Sequence, residues 1–306
     1  MGKKIFKIAI IGVAIICLIV IGLISWQSNS IINDMARTRV VDNNGGLIQK
    51  FSSHIDRVET ENSDGFKVSA WRFAIENPKG IVIVIHGMHG QDASSLLDFG
   101  YFFKKANYET FCIDLRSHGR SQGNRIGFGY TEVADLTALL DWIKTKDKYQ
   151  NKDIILYGIS MGGATAINTA AERDDISGVI SVSAFQSYEQ TFVENLERAQ
   201  LPKFVINTYK PIIRFLLLTK YKMNPVKNSP LHKISQINDK PVLIVHGDAD
   251  QQITVDQAYQ LKENAGDNAE LWVVKDHGHM VVTDILNPEN EWYGNRILNF
   301  IDSNLN

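Results

Sequence analysis

Asp153-Ile154-Ile155-Leu156-Tyr157-Gly158-Ile159-Ser160-Met161-Gly162-Gly163-Ala164-Thr165-Ala166-Ile167-Asn168-Thr169-Ala170-Ala171 reads as a buried strand, a tight turn and a helix of small residues. The turn has the form G-x-S-x-G, a strained elbow that lifts a serine hydroxyl above a sheet at the start of a helix. Glycine suits positions 158 and 162, because such a turn brings backbone segments too close together to leave room for a Cβ. A glycine-flanked serine also occurs in ordinary turns and helix caps. The rest of the chain must therefore supply partners for Ser160.

Working outward, the pattern on both sides alternates strand and helix. Asn77-Pro78-Lys79-Gly80 leads into the apolar run Ile81 to Ile85, as expected of a parallel strand covered on both faces. Strand-like runs follow at 110–115, 154–157, 178–183, 241–246 and 270–275. Helical stretches are expected at about 131–144, after Ser160, at 254–264 and at 291–303. This alternation predicts a doubly wound, mostly parallel α/β sheet. Before it, His54 to Glu59 and Phe66 to Glu76 flank Asn62-Ser63-Asp64-Gly65, an Asp-Gly hairpin signal that predicts an antiparallel edge.

Between the strands at 178–183 and 241–246 lie nearly sixty residues, far longer than a simple connection. In this insertion, about 185–232, the stretch from Ile206 to Leu218 is apolar and aromatic, with Pro202 and Pro211 as punctuation. Extra core helices would explain it. A helical cap lining a hydrophobic acyl or alkyl pocket would do so as well, and is preferred.

A serine hydroxyl needs a base, and the base needs an acid to hold its tautomer. The strand at 242–245 runs into His246-Gly247-Asp248-Ala249-Asp250, and the next runs into Asp276-His277-Gly278-His279-Met280. An acid and then a histidine thus follow the serine at strand ends, where open α/β sheets hold their ligands. Asp248 competes with Asp250, and His277 with His279. An oxyanion hole needs two backbone N–H groups. Met161 follows the serine, and Met88 lies in His86-Gly87-Met88-His89-Gly90 after an early strand.

Together, His86-Gly87, Asp114-Leu115-Arg116-Ser117-His118-Gly119-Arg120-Ser121, Gly158 to Gly162, His246 to Asp250 and Gly278-His279 make the chain resemble an α/β-hydrolase. The branch is the serine-aminopeptidase-like or monoacylglycerol-lipase-like one, and the resemblance covers residues 54–306. It implies an α/β-hydrolase fold with Ser160 as nucleophile, His279 as base and Asp250 as acid, and Met88 and Met161 supplying oxyanion amides. Asp248 becomes a turn residue, His277 a surface or outer-layer residue, His86 a structural group and His118 a turn residue. The pair Asp114 and Arg116 ties loops together. Ser117 stands where the family commonly has glycine. Dehalogenase and epoxide-hydrolase relatives carry aspartate where Ser160 stands.

The N-terminus lies outside that resemblance. Ile8 to Ile24 is 17 residues without charge, preceded by Lys3, Lys4 and Lys7 and followed by Trp26. With its flanks it reaches roughly the 30 Å of a bilayer core. An uncleaved anchor over 1–27 is expected, then a linker over 28–50 with a turn or flexible spacer at Asn43-Asn44-Gly45-Gly46, then the hydrolase domain over 51–306. The lysines favour a cytoplasmic N-terminus and an extracytoplasmic hydrolase domain, although Arg37 and Arg39 weaken the asymmetry. The alternative is a cleaved secretory signal, for which Ser28-Asn29-Ser30 is the nearest site.

A net charge of −2 gives no electrostatic reason to expect nucleic acid. No H-x-x-x-H or H-E-x-x-H spacing suggests a metal, no cofactor is expected, and no obligate protein partner is evident. Two cysteines, Cys17 in the apolar run and Cys112 in a core strand, are not expected to pair. The sequence thus predicts a membrane-anchored serine hydrolase acting on small-molecule acyl esters, or less readily amides. Transfer of the acyl group to an alcohol or amine on the same residues, and an inactive anchored binding protein, are the competing readings.

Overall fold

The run Gly80 to Ile85 has no polar side chain because both of its faces are covered. In the computed structural model, which describes residues 2–37, 45–89 and 91–305, Ile81, Ile83 and Ile85 enter one hydrophobic layer while Val82 and Val84 enter the other. A period of two with both faces apolar requires helices on both sides.

The chain begins with helix α1 (Gly2–Arg37) and a short α2 (Gly45–Phe51). Then come β1 (Asp56–Glu61), β2 (Lys67–Phe73), β3 (Gly80–Ile85), α3 (Leu97–Lys105), β4 (Tyr108–Asp114), α4 (Val133–Lys144), β5 (Ile154–Ile159), α5 (Met161–Ala170) and β6 (Gly178–Val182). Three helices, α6 (Tyr188–Arg198), α7 (Lys203–Lys220) and α8 (Pro230–Ile234), fill the insertion before β7 (Val242–Gly247). The fold closes with α9 (Val255–Ala265), β8 (Ala269–Val274) and α10 (Glu291–Asn304).

Among the described residues the strands form one sheet in the order β1-β2-β4-β3-β5-β6-β7-β8. The pairs β1/β2 and β2/β4 are antiparallel and all others parallel, so the loops after β3, β5, β7 and β8 leave from the same rim. The structure is an α/β-hydrolase fold.

The expected linker is where the structure departs most from the sequence reading. Helix α1 continues to Arg37, and the glycines at 45 and 46 begin α2 rather than a turn. Asn43 and Asn44 lie outside the described residues. The physical reason is tertiary. Ile24, Ser28, Ile32 and Ala36, spaced four apart, are buried, and three of them share a core cluster with Tyr209, Ile213 and Leu217 of α7. Phe51 of α2 packs on Phe73 and Tyr101, with ring centroids 5.8 and 5.0 Å apart. Burial of one stripe sustains helix where local sequence signals spacer. Upstream of Ile24 the large hydrophobics of α1 are exposed.

Candidate active site

Ser160 sits between the last residue of β5 and the first of α5 with φ 56° and ψ −118°, a conformation a non-glycine residue holds only under constraint. The constraint is steric and local. A Cβ on Gly158 would collide with the backbone of Gly162, and one on Gly162 with the carbonyls of Ile85 and His86. A Cβ on Gly87 would come 3.3 Å from that of Ser160, so the loop after β3 crosses directly beside the serine. Two hydrogen bonds pin the turn: Ser160 N donates to Val182 O at 2.8 Å, and Ala164 N donates to Ser160 O at 3.1 Å.

The loops after β7 and β8 bring the second and third residues together. His279 Nδ1 donates to Asp250 Oδ2 at 2.7 Å. Asp250 Oδ1 accepts from the amides of Gln252 and Ile253 at 2.7 and 3.0 Å. His246 Nε2 lies 3.3 Å from Asp250 Oδ2 and 3.0 Å from Ile253 O. Burial alone would raise this carboxyl, but the hydrogen bonds from His246 and His279 outweigh it and hold Asp250 well below the usual carboxylate range. The contact with His246 was not foreseen from the sequence. Its signal was only the four-residue spacing from His246 to Asp250.

Ser160 and His279 line one cavity of about 470 Å³, together with Gly87, Met88 and Met161. Its apolar lining includes Met35, Phe185, Tyr188 and Phe192, and its polar lining Asn195, Arg198, Gln251 and Gln252. The insertion contributes to the wall through α6, whereas the apolar stretch 206–218 expected to line the pocket lies in α7, which packs against α1 and supplies no wall residue. Met35, from the N-terminal helix, is a wall residue the sequence reading did not find.

The competing residues fall elsewhere. Asp248 Oδ1 accepts from Asp276 N at 2.7 Å and so joins two loops. His277 bonds Lys275 O at 2.7 Å and packs on Trp292. His86 accepts from Leu115 N at 3.0 Å and donates to Gly87 O at 2.6 Å, bracing the loop after β3, and burial pushes its imidazole down to about 4. His118 lies in the turns after β4, its amide donating to Leu115 O and its carbonyl accepting from Ser121 N, each at 3.0 Å, and it is buried against His86, with ring centroids 4.5 Å apart. Asp114 accepts from Arg57 and from the amides of Ala93 and Arg120. Arg116 pairs instead with Asp135 and Asp64, so Asp114 and Arg116 brace separate loops. Gly90 lies outside the described residues. No group of three or more metal-ligating side chains occurs among the described residues.

The geometry finds parallels in known proteins. The Pyrococcus furiosus esterase Pf2001 superposes with a TM-score of 0.69 at 24% identity, over 88% of this chain and 99% of that one, a likeness of fold. The uncharacterized protein YqkD of Bacillus subtilis (strain 168) is 25% identical over 218 residues, 70% of each chain. Monoglyceride lipase of Rattus norvegicus is 33% identical over 108 residues, 35% of each chain. The family model described as "Serine aminopeptidase, S33" matches residues 76–239, a span that contains the Ser160 turn and the whole insertion through α8. On that match, over more than half of its length, the chain belongs to the serine aminopeptidase S33 family of α/β-fold serine hydrolases.

Proposed function

We propose that this protein is a membrane-anchored hydrolase of carboxylic esters that works through an acyl-enzyme on Ser160. The observation that carries the reading is the 2.7 Å contact between His279 Nδ1 and Asp250, with His279 opening onto the cavity that also holds Ser160. A proton committed from Nδ1 to Asp250 leaves Nε2 with its lone pair free to act as base. His279 takes the hydroxyl proton as Ser160 Oγ attacks the ester carbon. The backbone amides of Met88 and Met161 stabilise the oxyanion, aided by the N-terminal end of α5. His279 then returns the proton to the leaving alcohol. Water, deprotonated by the same imidazole, releases the acid and restores the serine.

The substrate class follows from the cavity. Met35, Met88, Phe185, Tyr188 and Phe192 offer apolar lining suited to an acyl chain, while Arg198, Asn195 and two glutamines offer polar groups suited to the leaving alcohol. The similarity to a protein named monoglyceride lipase points the same way. The anchor in this reading is α1. The hydrophobics from Ile5 to Leu23 are exposed, and the helix is long and apolar enough to cross a bilayer. Lys3, Lys4 and Lys7 favour a cytoplasmic N-terminus, with the hydrolase domain on the other side.

The test is labelling of the full chain with a fluorophosphonate probe, with Ser160→Ala as control. Labelling is expected in the parent and lost in the variant. A folded parent that takes no label would overturn the serine chemistry. Parallel ester and amide substrates, with and without alcohol acceptors, separate esterase from amidase and transferase activity.

A further inference from the structure

An anchor needs only to hold its domain at the membrane, yet the last turns of α1 are built into the cavity. The terminal carbonyls of a helix lack partners within the helix and must find them elsewhere. In α1 the domain supplies partners for two of them. Met35 O accepts from His89 Nε2 at 2.7 Å, and Ala36 O from Ile126 N at 2.6 Å. Side chains lock the same segment further. Tyr209 Oη donates to Gln27 at 2.6 Å, and Lys220 Nζ bonds Asn29 at 2.8 Å and also Asn33. Ile32 and Ala36 are each 1% exposed.

Met35 itself faces the substrate space. Its side chain lines the cavity with Ser160 and His279, and its Sδ accepts from Tyr188 Oη at 3.0 Å. Tyr188 is in turn stacked on Phe128 at 3.9 Å between centroids. On the backbone side, the His89 contact grips a residue held at φ 47°, next to Met88 in the loop beside the serine. A strained loop conformation persists only where its surroundings impose it. One residue of α1 thus meets both the apolar wall and the oxyanion loop.

We infer that the C-terminal, domain-docked end of α1 is a specificity element of the active site, with Met35 forming part of the apolar lining and limiting the acyl chain that fits. The inference rests on the serine chemistry proposed above. The anchor and the pocket are then one unit: the helix that would hold the protein in the bilayer also shapes the compartment receiving the acyl group. Methionine suits such a wall, being unbranched and able to fill an irregular gap.

The test uses the full chain in detergent micelles and a homologous series of alkyl phosphonofluoridates, from methyl to dodecyl, whose labelling rates require only the reactive serine. Met35→Trp is expected to slow the octyl and dodecyl probes at least tenfold relative to methyl. Met35→Ala is expected to raise the dodecyl-to-methyl ratio at least threefold. Either variant decides if the other fails to fold. Ratios unchanged within twofold, or all probes slowed equally, would overturn the inference and leave Met35 a packing residue. A parent chain that no probe labels would instead refute the underlying serine reading, and the inference would fall with it.

Discussion

Asp250 receives more hydrogen bonds than a simple orienting carboxylate needs. One oxygen takes two backbone amides, and the other is approached by both His279 and His246. Because its folded pKa is depressed, the stability it contributes is present above the unfolded value of about 4 and lost as pH falls through the folded one. It therefore stays ionised throughout the range in which a histidine titrates. Asp250→Asn should leave the fold intact by circular dichroism but lower kcat by roughly 10³- to 10⁴-fold, because an amide cannot hold the imidazole in the working tautomer. A loss smaller than tenfold would remove Asp250 from the proposed triad. At this scale Ser160, followed by an acid at 248 or 250 and a histidine at 277 or 279, was legible as a candidate set, since each follows a strand in the order the chemistry requires. The choice of Asp250 over Asp248 came from the family resemblance and needed coordinates to acquire a geometric reason.

At the scale of elements, the strand–turn–helix at Ser160 is fixed by close backbone approach. Gly162→Ala would push a methyl group into the carbonyls of Ile85 and His86, atoms that belong to the sheet and cannot swing away. A loss of about 3 kcal/mol in denaturant unfolding is expected. Gly278, beside His279, has open space around it, so Gly278→Ala should change stability by less than about 0.5 kcal/mol. Equal effects of the two substitutions would contradict the steric account. The alternating strands and the Asn62–Phe66 hairpin could be read because their periodicity is local. Helix α3 could not, for Leu97 to Lys105 is aromatic and carries Gly100 in its middle. That glycine is explained only by what lies beneath it: a Cβ there would sit 2.7 Å from Cys112 Sγ and would also crowd the Phe73 ring.

At the scale of the molecule, α1 has two different environments along one continuous helix. Up to Leu23 its apolar side chains are exposed, and from Ile24 a four-residue stripe is buried against α7. The proposed anchoring predicts that the full chain stays in the membrane pellet after an alkaline carbonate wash. Ile15→Arg combined with Ile19→Arg should shift it toward the supernatant, each arginine costing about 2.5–3.5 kcal/mol at the centre of a span. A parent chain already in the supernatant would sink the anchoring. The sequence by itself determined the parallel sheet, the glycine turn that carries Ser160 and the long apolar helix, because each is written in neighbouring residues through periodicity, steric size or hydropathy. Only the tertiary structure decided that α1 runs on past the apolar stretch and delivers Met35 to the cavity wall, and that α6 supplies much of the rest. The reason is that a cavity is the space left between elements remote in sequence, and its lining is set by how they dock rather than by any pattern within one of them.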